Sequence, residues 1–265
     1  MREIAPSVSP VRALERGLDV LQAVETHPGA GLATLHAITG LPKATLLRLL
    51  KTLVRRNLVW QRLADGAYLP SRRATGGPSD VKSRLVEIAS PVMEALCAQV
   101  NWPSVLAVRA GAEMEVIETN RPRSQARHYP LGPVGARVDM LSSASGRAYF
   151  AFCGASEREE ILGLLRALGA AGEGPAHDRA FIARLVAQTQ AQGYGQREPV
   201  YGGGTPPDGR RSIGVPVIVG GQVVAALNLT WMPRSTNLAD VSSDHLEALK
   251  GAASAIARGL MAVSV

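Results

Sequence analysis

Eight basic residues stand between Pro42 and Arg73: Lys43, Arg48, Lys51, Arg55, Arg56, Arg62, Arg72 and Arg73. Asp65 is the single acid among them. This stretch carries a net +7, the formal charge of the whole 265-residue chain, so the remainder sums to about zero. No Asp or Glu occurs between Glu25 and Asp65. Cations gathered at one end without local carboxylates point to an anionic partner, nucleic acid above all. Within GLPKATLLRLLKTLVRR (40–56), Leu46, Leu49, Leu50 and Leu53 recur at helical steps and make one apolar stripe. At about 100° per residue, Ala44, Arg48, Lys51 and Arg55 fall on the opposite side. The spacing predicts a helix that buries one face and presents cations on the other. A membrane surface fits less well, because the apolar face is needed for a core.

Catalytic chemistry is harder to assemble. His27, His36, His128, His177 and His245 are scattered, without metal-ligand spacing and without H-E-x-x-H. No G-x-S-x-G surrounds Ser142, Ser143 or Ser145, and Gly202-Gly203-Gly204 lacks the Lys-Ser/Thr of a phosphate loop. Cys97 and Cys153 lie far apart and outside any C-x-x-C, as buried thiols of a reduced, cytoplasmic protein would. Neither an enzyme nor a metal or cofactor site is predicted. A different polar pair stands out in QVVAALNLTW (222–231). Asn228 and Thr230 share one face of an otherwise apolar strand. A buried Asn needs hydrogen-bond partners, which backbone, water or a ligand would supply.

The elements that must position these residues can be read off the sequence. Leu14, Leu18, Leu21 and Val24 set a first helix that ends before His27-Pro28-Gly29. A short helix follows over about Leu32 to Thr39, then a tight turn at Gly40-Leu41. Pro42 opens the basic helix in its first turn, and Asn57 ends it. LVWQRLADGAYLP supplies two short strands around Asp65-Gly66. Helix, helix, turn, helix, hairpin is the winged helix-turn-helix order. SRRATGGPSD (71–80) reads as a linker. Beyond it, Leu85, Ile88, Val92 and Leu96 form an apolar helical stripe that Pro91 restarts or kinks. Strands are predicted at 103–109 and 114–120. Ser156 with Glu159 forms a capping box that opens a helix, and a further helix runs from Asp178 to Gly193. GRRSIGVPVIV/GGQVVAALNLTW makes an apolar hairpin rather than a membrane span, and a final helix covers roughly Asp240 to Met261. Mixed strands and helices without βαβ alternation give the fold class α+β with an antiparallel sheet. MREIAPSVSP is too polar and proline-broken for a signal peptide.

VRALERGLDVLQAV, TGLPKATLLRLLKTLVRRNLV and DGAYLP resemble the N-terminal domain of the IclR family of bacterial transcription regulators. LSSASGRAYFAF (141–152), QGYGQRE (192–198) and IGVPVIVGGQVVAALNL (213–229) continue the resemblance over nearly the whole chain. SGRAYFAFC followed by EREEIL, with RLVAQTQAQGYGQREPVYGG, is most similar to the MhpR-like branch, whose members respond to phenylpropionate-like aromatic acids. The resemblance implies a winged helix-turn-helix (1–72), a linker and linker helix (73–90) and a GAF-like effector-binding and oligomerisation domain (91–265). The implied partners are a double-stranded DNA operator, a small organic acid effector, a homodimer or tetramer, and RNA polymerase if the protein activates. Lys43, Ala44, Thr45 and Arg48 would enter the major groove, Arg48 reading guanine. Lys51 and Arg55 would hold phosphates, and Arg62 would serve in the wing. By position in the family, Ala144, Ser145, Ser212, Asn228 and Thr230 line the effector pocket, with the apolar body of the acid against Leu141 and Leu227. The family's acidic pocket position is Arg197 here, and Arg197, Arg210 and Arg211 could clamp a carboxylate. Two other readings stay open. One is an enzyme of small-acid metabolism fused to a DNA-binding domain; the other is an architectural DNA binder without a ligand.

Overall fold

A computed structural model describes residues 11–71, 81–122, 132–169, 174–198, 210–231 and 238–262. Most of the expected linker, with Arg72 and Arg73, and the glycine-rich loop around Gly202 lie outside the described residues. The chain divides into two compact units, Met1–Glu87 and Ile88–Val265.

In the first unit, α1 (Arg12–Thr26), α2 (Leu32–Thr39) and α3 (Lys43–Arg55) precede a hairpin of β1 (Val59–Gln61) and β2 (Tyr68–Pro70). Their core joins Val20, Val24, Leu35, Leu46, Leu50, Leu53, Val59 and Tyr68. Gly40 sits at φ 64° at the end of α2, a left-handed position that a side chain would strain. Pro42 is extended at ψ 137° and caps α3, which begins one residue later than its proline suggests. β2 also bonds back to the α1–α2 connection, Tyr68 N–H donating to Ala30 O at 3.0 Å.

The expected stripe of α1 is corrected. Leu14 and Leu18 are 61% and 55% exposed, whereas Val20, Ala23 and Val24 are buried. The face turned toward α3 carries Gly17, whose missing side chain leaves space beside Leu49.

In the second unit, α4 (Val81–Val100), which begins just before the unit boundary, leads into β3 (Ser104–Ala110), β4 (Glu113–Asn120) and β5 (Arg137–Asp139). Then come α5 (Ala144–Phe152), α6 (Ala155–Leu168), a 3-10 turn at Pro175–His177, α7 (Arg179–Gln192), β6 (Gly195–Gln196), β7 (Arg211–Val219), β8 (Gln222–Trp231) and α8 (Leu238–Ala262). The strands form one antiparallel sheet in the order β5-β4-β3-β8-β7-β6. α5 packs over β6, β7 and β8, and α8 packs on β7. Apolar residues of β8 and α5 join Met114, Met140, Ile161 and Leu185 in the core on the α5 side.

Pro91 neither breaks nor restarts α4, which runs through it as one helix with the ring exposed. The buried stripe of α4 is Leu85, Ala89, Met93, Leu96 and Val100, leaving Ile88 and Val92 half-buried. The Ser156–Glu159 capping box does not form: α6 starts at Ala155 and Gly154 caps it without a side-chain bond. The acids of its first turns go elsewhere. Glu157 and Glu160 accept from Arg109 on β3 at 3.1 and 2.6 Å, and Glu157 also accepts from the Tyr149 hydroxyl at 2.6 Å.

Candidate nucleic-acid interface and acid cradle

α3 is fixed from below and open above. Leu46, Leu50 and Leu53 anchor it in the core, and Leu49 packs at the margin. Lys43, Ala44, Arg48, Lys51 and Arg55 are exposed, and Thr45 is half-buried. None of these cations makes an ion pair among the described residues. The turn ahead of the helix is held from α2: the His36 ring donates through Nδ1 to Leu41 O at 2.7 Å, and Thr39 Oγ1 donates to Leu35 O. A carbonyl partner assigns the proton to Nδ1.

The structure adds to the reading of two residues at this surface. Arg62 is not free in the wing; its Nε and Nη2 donate to Asp65 at 3.0 and 2.5 Å. That hydrogen-bonded pairing is the main cause holding the Asp65 carboxyl below the usual aspartate range. The hairpin loop between β1 and β2 is correspondingly longer than a two-residue turn, with Asp65 also accepting from Ala67 N–H at 3.1 Å. The other residue is Leu47, 44% exposed and on the outward face beside Ala44, Arg48 and Lys51. The only signal for it in the sequence was a leucine one step off the apolar stripe.

The acid-cradle residues meet at the first turn of α5. Ser143 caps this helix by accepting from Gly146 N–H at 2.9 Å. Ala144 and Ser145, both buried, follow as its first two residues, with N–H groups that no described carbonyl or side chain accepts. Asn228 donates through Nδ2 to Ser145 Oγ at 2.9 Å, while its buried Oδ1 has no partner. Ser212 and Thr230, opposite one another in the β7–β8 ladder, bond hydroxyl to hydroxyl at 2.9 Å. Arg197 is tied to the same strand through its backbone, donating to Ser212 O at 3.0 Å. Arg210 and Arg211 lie at the start of β7, half-buried and exposed.

Leu227 is corrected: it alternates with Asn228, pairs with Leu106 and Val215, and is buried on the opposite face of the sheet. Leu141 lies on the α5 side. Two glycines that the sequence reading passed over set the distance between α5 and the sheet. A Cβ at Gly195 would stand 2.4 Å from Ala144 O, and one at Gly214 would stand 2.8 Å from the same oxygen. The helix N-terminus therefore rests directly on strand backbone. Free N–H groups, hydroxyls and an amide converge there, a set that suits an anion. Among the described residues no group of His, Cys, Asp and Glu could hold a metal ion.

The profile of the IclR helix-turn-helix domain matches residues 13–63, and that of the bacterial transcriptional regulator IclR C-terminal domain matches residues 81–258. The chain belongs to the IclR family. It is 30% identical over 165 residues to the HTH-type transcriptional regulator TsaQ1/TsaQ2 of Comamonas testosteroni, covering 60% of this chain and 58% of that one. With the transcriptional repressor IclR of Escherichia coli the identity is 27% over 196 residues, 72% of this chain and 70% of the repressor. Among solved structures, an IclR homologue from Microbacterium hydrocarbonoxydans complexed with 4-hydroxybenzoate superposes with a TM-score of 0.54 at 25% identity, over 94% of this chain and 99% of that one. An N-terminal helix-turn-helix unit and a C-terminal unit with an antiparallel sheet are what IclR structures also have. No described helix is long and apolar enough to cross a membrane.

Proposed function

We propose that this IclR-family chain is a transcriptional regulator that reads a duplex operator through α3 and is switched by a small organic acid. The observation that carries the first half is the outward face of α3: Lys43, Arg48, Lys51 and Arg55 exposed, without ion pairs, on a helix anchored by three buried leucines. Lys43, Ala44, Thr45 and Arg48, near its N-terminal end, are assigned to base edges, with Leu47 against a thymine methyl. Lys51 and Arg55 hold phosphates. Arg62 joins them when Asp65 yields it. The assigned limits are 1–72 for the DNA module, 73–90 for the linker and linker helix, and 91–265 for the effector domain.

The second half rests on the convergence of Ala144, Ser145, Ser212, Asn228 and Thr230 at the α5 N-terminus, with Arg197 beside them. A carboxylate there takes the two open N–H groups and exchanges with the bonds these side chains make to one another. The Microbacterium homologue with 4-hydroxybenzoate and the likeness to the MhpR-like branch favour an aromatic acid. Fluorescence anisotropy on operator DNA, with and without a panel of aromatic and aliphatic acids, tests both halves. An acid that shifts DNA affinity at least severalfold supports the reading. Equal affinity in every acid, on any sequence, would leave an architectural binder instead.

Assembly follows from symmetry. One winged helix offers a small footprint, so a homodimer or tetramer reads a two-fold operator with half-sites about 10–10.5 bp apart or a multiple. The exposed Leu14 and Leu18 of α1, with Val11 at its cap, give the DNA module an apolar strip for a second copy. Sedimentation of the protein and of a Leu14→Glu, Leu18→Glu variant checks this. A monomeric parent protein at micromolar concentration would overturn it.

A further inference from the structure

A cleft of about 440 Å³ opens on the effector unit beside the cradle and shares Leu141 with the expected pocket, but none of Ser145, Ser212, Asn228 or Thr230 lines it. One wall is a single face of α7, where Phe181, Arg184, Leu185 and Gln188 recur at steps of three and four. The other is the loop that enters α5, with Leu141, Ser142 and the Arg147 side chain.

That second wall is pre-formed. Asp139 Oδ1 accepts from Leu141 N–H at 2.9 Å and Ser142 N–H at 2.6 Å. Arg147 Nε donates to Leu141 O at 2.7 Å, and Glu198 N–H donates to Ser142 O at 3.0 Å. Every turn of the loop is tied down from a different element, so a ligand finds a shaped surface rather than one it must order.

The charges of the cleft sort themselves. Glu198 pairs with Arg147 at 3.2 Å, and Asp139 adds to the field on the same guanidinium. Arg147 is therefore matched by two carboxylates. Arg184 has no ion pair or hydrogen-bond partner among the described residues and stands over the apolar Phe181, Leu185 and Leu141. The volume is that of an ordinary small-molecule site; its two carboxylates gather at Arg147, and Arg184 stands apart from them as the cation without an ion pair among the described residues.

We propose that this cleft is a second ligand site, for a small monocarboxylate with an apolar body. The carboxylate meets Arg184, with the Gln188 amide one turn further along the same face as a second donor. The body lies on Phe181 and Leu185 against Leu141. Asp139 and Glu198 at the far end repel a second negative charge, so monoacids are preferred to diacids. A ligand here touches the loop whose other end is Ala144 and Ser145, which places it in contact with the element that builds the cradle. The inference does not depend on the cradle itself binding an acid.

Benzoate serves as the probe, titrated into the full-length protein by calorimetry, with phthalate as the diacid. Arg184 is exposed, so Arg184→Ala leaves the core intact, and an unchanged melting temperature verifies this. Asn228→Ala serves as the background, so that binding at the cradle does not mask the cleft. The expected result is benzoate binding that persists in Asn228→Ala, falls at least tenfold when Arg184→Ala is added, and exceeds phthalate binding at least fivefold in that background. Equal benzoate affinity of Asn228→Ala with and without Arg184→Ala, or no benzoate binding to Asn228→Ala, would each overturn the second site. Failure of the cradle reading looks different: Asn228→Ala then changes neither benzoate binding nor acid control of DNA affinity.

Discussion

Asn228 on β8 donates to the hydroxyl of Ser145 in the first turn of α5 at 2.9 Å, joining two buried side chains 83 positions apart in the chain. The amide uses one end for this bond and leaves the other buried and unpartnered. Exchanging the ends, which differ only in which atom is O and which N, turns the open end from acceptor to donor. One residue thus serves either a carboxylate or a hydroxyl without moving its backbone.

Asn228→Ala is expected to lower effector affinity roughly tenfold or more, since a hydrogen bond to a charged group is worth about 1.5–3 kcal/mol. DNA affinity without effector should stay within about twofold. Ser145→Ala leaves the Asn228 amide without partners at both ends and should destabilise the effector unit by about 1–3 kcal/mol. Calorimetry with the active acid and urea unfolding read the two effects separately; unchanged affinity in Asn228→Ala would remove the cradle.

On α3, Arg48→Ala should cost about 1–3 kcal/mol of operator affinity and relax preference at one base pair. Lys51→Ala should weaken all sequences alike and reduce the salt slope by about one. Leu47→Ala should relax preference at a thymine while leaving the salt slope unchanged, because it carries no charge. Operator selection followed by salt titration distinguishes the three.

Asp65→Asn frees Arg62 and removes the one acid of the basic stretch. Operator affinity should rise, with the salt slope growing by up to about one. The pH behaviour has a definite sign. The Arg62 guanidinium holds the folded carboxyl below the usual aspartate range, so the stabilisation it gives is complete above that range and is lost as pH falls through the folded pKa. Between pH 5 and 8 the Arg62–Asp65 pair should therefore leave DNA affinity constant. A titration step in that window that vanishes in Asp65→Asn would contradict the assignment.

Gly195→Ala forces a methyl group against the Ala144 carbonyl and the Ala148 N–H, and overpacking of this kind costs about 1–3 kcal/mol or more. Gly163→Ala, in the exposed interior of α6 with no atom within 4 Å of the new carbon, should instead stabilise by about 0.5–1 kcal/mol. Paired urea melts read opposite signs.

Much of the fold follows from local pattern. α3 was legible because four leucines and three basic residues occupy opposite sides of one helix, and the β7–β8 hairpin because two glycines separate two apolar runs. Leu14 and Leu18 read as core because periodicity does not say which of two neighbouring faces is covered. Ser156 lost its capping role because α6 starts one residue earlier, at Ala155, with Gly154 as its cap. Leu227 was placed with Asn228, although strand alternation separates them. Of the cradle, the side chains were legible and the glycines beneath them were not, because close backbone approach leaves no side chain to read.

The sheet order has a consequence for the order of synthesis. β8 lies between β3 and β7, so the sheet closes only when nearly the last strand of the chain arrives. Ser145 waits for Asn228 until then. The first unit has all its core residues long before, and nascent domains fold in the order they emerge. On a translating ribosome the surface assigned to DNA therefore matures first and the means of controlling it last. A chain broken off before β8 would keep the basic helix and lose the cradle, leaving a reader of DNA that no acid can instruct.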